Sequence, residues 1–226
     1  MSFLKNAAIY FNHEPHQEAA LDELWAATNY LDKQRFIAAY KGSAKPSSKL
    51  VTITKQTFED LTGHSKDLFT RLEVDDCNRL LEITGFGETP ELASMLLANI
   101  LHETCNMKYM KEIADGRAYD GRYDLGNTHP GDGPRFKGAG VLQLTGRFNY
   151  SRLSKAVSDP KVMEGCDYVA TTYPFRSAEP WIKENNLLEI AKTKGFDAVC
   201  RRINGGWNGY QDRKNKFTLC KKVLNP

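Results

Sequence analysis

The chain has 226 residues, of which 41% are hydrophobic and 26% charged, with a formal net charge of +3. That length can bury a substantial core as one domain, or as one domain with a small appendage. The composition is ordinary for a globular protein, no segment reaches the roughly 18 apolar residues of a membrane span, and no basic block with interleaved aromatics argues for nucleic acid. Five cysteines (Cys77, Cys105, Cys166, Cys200, Cys220) form no CxxC pair and are odd in number, so free thiols and no structural zinc are expected. The first residues, MSFLKNAAIYFNHEPHQ, hold one lysine and a broken apolar stretch and do not read as a secretory signal, which predicts synthesis in a cytoplasm.

In chain order, Glu18 to Tyr40 suggest two short helices, with Leu21, Leu24 and Trp25 on one face of the first and Phe36, Ile37 and Tyr40 on the second. Lys41 to Lys49, KGSAKPSSK, has linker composition, so a boundary is expected near residue 50. Beyond it Thr54 is a candidate N-cap. Leu68, Leu72, Leu80, Leu81 and Ile83 recur at roughly helical spacing before Gly85 and Gly87 stop the pattern. Thr89-Pro90-Glu91 then starts a helix: Thr as N-cap, Pro where its missing N–H costs nothing, and an acid in the first turn. Leu92, Met95, Leu96, Asn99, Ile100 and Glu103 share a stripe, which carries Glu103 to the edge of a buried face. From Arg117 to Gly140 glycine, proline, Asp, Arg and Tyr predict a long irregular loop. SRLSKAVS, FRSAEPWIKENN and GFDAVCRRIN read as helical again. The fold class is mainly α, with at most a small β-hairpin.

His102-Glu103 suggests a zincin, but Asn106 stands where a second histidine is required. Cys105 reads as a buried structural thiol, because sequence neighbours on a helix point about 100° apart and cannot form a nucleophile–base pair. The glycines of GDGPRFKGAG do not fit a phosphate loop. Two glutamates remain. On one continuous helix Glu103 and Glu112 would lie about 13.5 Å apart along the axis and on opposite faces. If the helix ends in the weak formers Thr104, Cys105 and Asn106, the chain can turn and bring Glu112 back. Paired carboxylates across a cleft are what glycoside hydrolysis needs, one to protonate the leaving oxygen and one to activate water. The competing reading makes Glu112 a surface acid beside Lys108 and Lys111. In FKGAGVLQLTGRFNY, Gly138 and Gly140 permit close backbone approach, and Gln143, Thr145, Asn149 and Tyr150 offer neutral donors and a ring suited to sugars. The same stretch could equally be a turn and a short amphipathic segment.

HET at His102 to Thr104, YDGRYDLGNTHPGDGPRFKGAGVLQLTGRFNY from Tyr119 to Tyr150, and RRINGGWNG from Arg201 to Gly209 followed by Asp212-Arg213 together resemble glycoside hydrolase family 19, the chitinase-like enzymes, and within it the branch that includes phage endolysins. The resemblance implies a lysozyme-like, two-lobed helical domain, placed at residues 51–226, and does not reach the small helical segment and linker read from composition in residues 1–50. It implies Glu103 as general acid, Glu112 as the base holding the nucleophilic water, and Thr145 as the hydroxyl that helps fix that water. Gln143 and Asn149 match substrate-binding positions, Asn204 lines the cleft, and Arg213 supports the catalytic network. The chain departs from the family at Ala139, where Gly-Arg-Gly is frequent, so that Lys137 becomes a candidate substitute. Asn208 stands where plant members carry a glutamate, and the plant disulfide pattern is absent.

The expected function is an endolysin-like glycosidase cutting β-1,4 bonds of peptidoglycan by inversion, with no metal or organic cofactor. It would be made in a host cytoplasm, act on the wall after release, and work as a monomer. A chitinase is the near alternative. A non-catalytic wall-binding protein is the rival of another class, favoured if Glu103 were absent or buried against a salt-bridge partner.

Overall fold

The structure is a computed structural model and describes residues 50–225, all within a compact unit spanning Ser48–Pro226. The helical pair and linker expected before residue 50 lie outside the described residues. Helices are labelled α1 to α9 in the order in which the described residues form them.

Capping sets the first three. Thr54 caps α1 (Lys55–Thr62), its hydroxyl accepting from the Thr57 N–H, and Gly63 closes the helix in the left-handed region. Thr70 and Glu73 form a reciprocal capping box at the start of α2 (Arg71–Thr84). That cap corrects the expected helix over 68–83: Leu68, at 71% exposed, precedes the helix, and Leu72, at 48%, lies on its outer side. Thr89 caps α3 (Pro90–Glu103) with Pro90 in the first turn. Every residue of α3 from Leu92 to Leu101 is buried, so it is a central helix enclosed on all sides instead of a one-striped surface helix.

After α3 come irregular backbone, short 3-10 turns and the four-residue α4 (Asp132–Arg135), followed by α5 (Arg147–Val157) and α6 (Cys166–Thr172). Then follow α7 (Glu179–Glu184), α8 (Leu187–Asn204, bent at Gly195) and α9 (Tyr210–Leu224). No strand forms among the described residues. The hairpin expected at most is reduced to two isolated bridges, Lys111 with Ala139 and Ala139 with Leu144. No described helix is long and apolar enough to cross a membrane.

Two apolar clusters make the two lobes. The larger packs α1, α2, α3, α8 and α9 through residues such as Phe58, Leu81, Leu96, Ile100, Val199 and Cys220. The smaller joins the loop to α5 and α6 through Phe136, Ala139, Tyr150, Leu153, Val162 and Val169. α9 lies against α3 more extensively than any other pair of described helices. The pair is antiparallel, since Lys221 reaches Glu91 at one end while Asp212 and Arg213 meet His102 and Glu103 at the other.

Candidate active site

The eight residues between the two glutamates contain an unusual turn. Cys105, Asn106 and Met107 follow one another with φ of 49°, 59° and 65°. Left-handed backbone costs a side-chain-bearing residue roughly 1–2 kcal/mol, so the surroundings must over-determine it. Thr104 supplies much of that constraint. Its buried hydroxyl donates to the Ile100 carbonyl (2.8 Å) and accepts from the Met107 N–H (2.8 Å), its own carbonyl accepts from the Tyr109 N–H (3.0 Å), and the Asn106 N–H donates to the Leu101 carbonyl (2.7 Å). The turn ends α3 and reverses the chain. Cys105 is thereby exposed at its tip, which corrects the expectation of a buried thiol; the other four cysteines are free and buried.

The reversed chain pairs with the later loop at Gly138. Glu112 donates its N–H to the Gly138 carbonyl (2.8 Å), and its carboxylate accepts from the Gly138 N–H (3.0 Å) and from the Tyr119 hydroxyl (3.1 Å). Burial, reinforced by the bond to Glu112, pushes the Tyr119 phenol up and keeps it a donor. The surface-acid reading of Glu112 does not hold, because Lys111 turns to Asp167 (2.5 Å) and Lys108 lies over the Tyr109 ring. Glycine at 138 lets both side chains come close: a Cβ would stand 2.5 Å from Gln143 Oε1 and 3.1 Å from Glu112 Oε2, so any other residue would displace them. Those two side chains therefore meet over one α-carbon.

Glu103 sits at the end of α3, its side chain 29% exposed, and Arg213 of α9 donates to its Oε1. Arg213 is itself 1% exposed and donates a second bond to Asn99 (2.8 Å), whose amide returns to the Met95 carbonyl. Glu103 is thus held by a buried cation while remaining open to solvent, and its Oε2 has no protein partner among the described residues. The preceding residues pair in the same register: His102 Nδ1 lies 2.6 Å from Asp212 Oδ2. Desolvation would raise the Asp212 carboxyl, but hydrogen bonds from His102 and Lys216 outweigh it and hold the group below its ordinary value. Gly209 makes the approach possible, since a Cβ there would stand 2.3 Å from the His102 ring.

The remaining expected residues separate into two groups. Gln143, Thr145 and Asn149 line a cavity of about 250 Å³; neither glutamate is among its lining residues. Gln143 donates to the Gly140 carbonyl, and Asn149 to the Thr145 carbonyl. The Thr145 hydroxyl donates to the Gln143 carbonyl (2.9 Å), which leaves its oxygen lone pairs free to accept from water. Tyr150 is a correction: it is 0% exposed, packs on Phe136 and donates to the Lys137 carbonyl, so it is a core residue of the small lobe and offers no face to a sugar. Arg213 too is buried and touches the site through Glu103, so it is a positioning residue. Asn204 lies at the end of α8, half-exposed, bonded to the Asn208 carbonyl. Lys137 donates to the Ala114 carbonyl and so braces the loop instead of replacing the missing arginine side chain at Ala139.

Tyr119, Asn99 and Thr104 stand within the stripe and motifs of the sequence, but nothing in the residue pattern assigns them a part in the site. Tyr119 opens the loop motif itself, and its proximity to Glu112 comes from the 3-10 turn Arg117–Tyr119.

No family profile matches the chain. It is 34% identical over 143 residues to an endochitinase of Arabidopsis thaliana, covering 59% of this chain and 48% of that protein. It is 30% identical over 102 residues to a glycosyl hydrolase family 19 domain-containing protein of Haemophilus influenzae, covering 45% of this chain and 49% of that one. The chain thus spans about half the length of the curated relatives it matches. Among solved structures, chitinase C from Streptomyces griseus aligns with a TM-score of 0.59 at 22% identity, covering 79% of this chain and 95% of that one. A class IV chitinase from Zea mays aligns with a TM-score of 0.59 at 21% identity, covering 76% and 92%. The solved structures establish the helical fold, and over about half of their own length the two sequence relatives, an endochitinase and a protein with a glycosyl hydrolase family 19 domain, are what the chain is similar to.

Proposed function

We propose that the chain hydrolyses β-1,4 glycosidic bonds of N-acetylated sugar polymers with Glu103 and Glu112, and that its polymer is bacterial peptidoglycan. The observation that carries the reading is the left-handed turn 105–107, a strained device that returns Glu112 from the far side of a helix to a fixed seat on the loop. The turn also buries Met107 in the large core, but strain held by this many bonds between two carboxylates supports a catalytic role. In the proposed reaction Glu103 protonates the leaving glycosidic oxygen. Glu112 takes a proton from a water that Thr145 helps to hold, and that water attacks the anomeric carbon from the opposite face. Arg213 and Gly138 fix where the carboxylates stand.

The wall-binding rival gains some support from the Glu103–Arg213 pair, but Glu103 is open to solvent on its other oxygen, which suits proton delivery better than burial. Chitin is the second reading, favoured by the endochitinase named among the relatives. Glu103→Gln and Glu112→Gln should each fold and lose on the order of 10²–10⁴ in rate, measured as lysis of outer-membrane-permeabilised cells beside cleavage of chitin hexamers. Near-full lysis by Glu103→Gln, with Cys105→Ala inactive, would replace the glycosidase by a thiol peptidase. Cleavage of chitin without lysis would replace the polymer.

A further inference from the structure

The cavity beside Gln143, Thr145 and Asn149 carries something that an uncharged glycan does not need. Its other lining residues include Arg152, Glu184 and Trp181. Arg152 stands three positions after Asn149 on α5, hence on the same face, and pairs through Nη2 with Glu184 Oε1 at the end of α7. Its guanidinium also lies 5.5 Å from the ring centroid of the exposed Phe148. A neutral polymer covering an ion pair returns only hydroxyl and amide hydrogen bonds for the lost hydration, whereas a ligand carrying its own carboxylate also returns a counter-charge to the guanidinium.

We propose that this cavity receives the acidic peptide substituent of a muramyl sugar, with a peptide carboxylate on Arg152, an amino group or solvent taking over Glu184, and the alkyl portions against Trp181. The proposal rests on the glycosidase reading above and names the part of the substrate that separates peptidoglycan from chitin. Arg152 is a specificity residue that touches a substituent and none of the reacting atoms.

The test compares the full chain with Arg152→Gln on three polymers: intact peptidoglycan, the same glycan stripped of peptides by an amidase, and chitin hexamer. Binding of muramyl dipeptide to Glu103→Gln is measured alongside by calorimetry. Arg152→Gln should lower kcat/KM on intact peptidoglycan roughly tenfold or more, mostly through KM, and leave the other two within twofold. It should also abolish dipeptide binding. An equal loss on all three polymers would assign Arg152 to the fold of the small lobe and overturn the proposal. Equal loss on intact and stripped glycan, with chitin spared, would move the contact to the lactyl group, an amide carbonyl in the intact wall and a carboxylate in the stripped one, and overturn the peptide assignment. No dipeptide binding by a variant whose parent lyses cells would overturn it alone. Dipeptide binding without cleavage of any polymer would uphold it and sink the glycosidase reading.

Discussion

Replacing Arg213 by methionine removes the cation that fixes Glu103 while keeping most of the side-chain volume. Two partners are left behind. Asn99 is fully buried and loses the donor to its Oδ1, a penalty of about 1–3 kcal/mol for an unsatisfied buried acceptor. Glu103 loses its ion pair, but at 29% side-chain exposure water recovers part of that interaction, so the full 3–5 kcal/mol of a broken buried pair does not apply. Together the loss is about 3 kcal/mol, which for a domain of this size lowers Tm by roughly 6–12 °C. Thermal and urea unfolding measure it. A double-mutant cycle isolates the pair, because in the Glu103→Gln background the same Arg213→Met change should cost at least about 1 kcal/mol less. Activity should fall further than stability alone explains, since the carboxylate loses its orientation while the variant is still folded at assay temperature. A stability loss under about 1 kcal/mol with glycosidase activity within twofold of the parent would refute the role given to Arg213.

Thr104→Val keeps the shape but removes both bonds that clamp the left-handed turn, and should cost about 1–3 kcal/mol and depress kcat, whereas Thr104→Ser should restore most of both; equal behaviour of the two variants in urea melts and rate assays would contradict the clamp. Asp132 accepts two bonds from Arg147 (2.8 and 2.5 Å) and one from the His129 N–H, and the Arg147 bonds chiefly hold its carboxyl at about 2 against an ordinary 3.8. Because the folded value is the lower, this group adds stability on the order of 2 kcal/mol that is fully present above pH 4 and lost as pH falls through about 2; the acid limb of a stability–pH curve should shrink by that amount in Asp132→Asn. The first product from a defined β-linked oligomer should be the α-anomer by proton NMR, since a water-activating base stands about 6.5–9.5 Å from the acid and a covalent nucleophile about 5–5.5 Å; an initial β-anomer would make Glu112, or the substrate's own acetamido group, the nucleophile.

The sequence by itself determined the start of α3 at Thr89-Pro90, the helical class, and the motifs that carry the family, because caps, glycines and local polar clusters act within a few residues. It could not tell whether Glu103 and Glu112 share a site. On helical geometry they face apart, and what ends that geometry is a run of three left-handed residues that only Asn106 favours by type, held by the Thr104 hydroxyl and the Leu101 carbonyl, after which Glu112 is seated at Gly138. Tyr150 failed for a related reason: an aromatic in a polar motif reads as a platform until the small lobe closes over it through Phe136 and Leu153. Asp212-Arg213 was legible as a motif, but its pairing with His102-Glu103 spans 110 positions and exists only because α9 returns antiparallel along α3. Local chemistry is written in the chain, while burial and long-range register are settled by which faces the fold must hide from water.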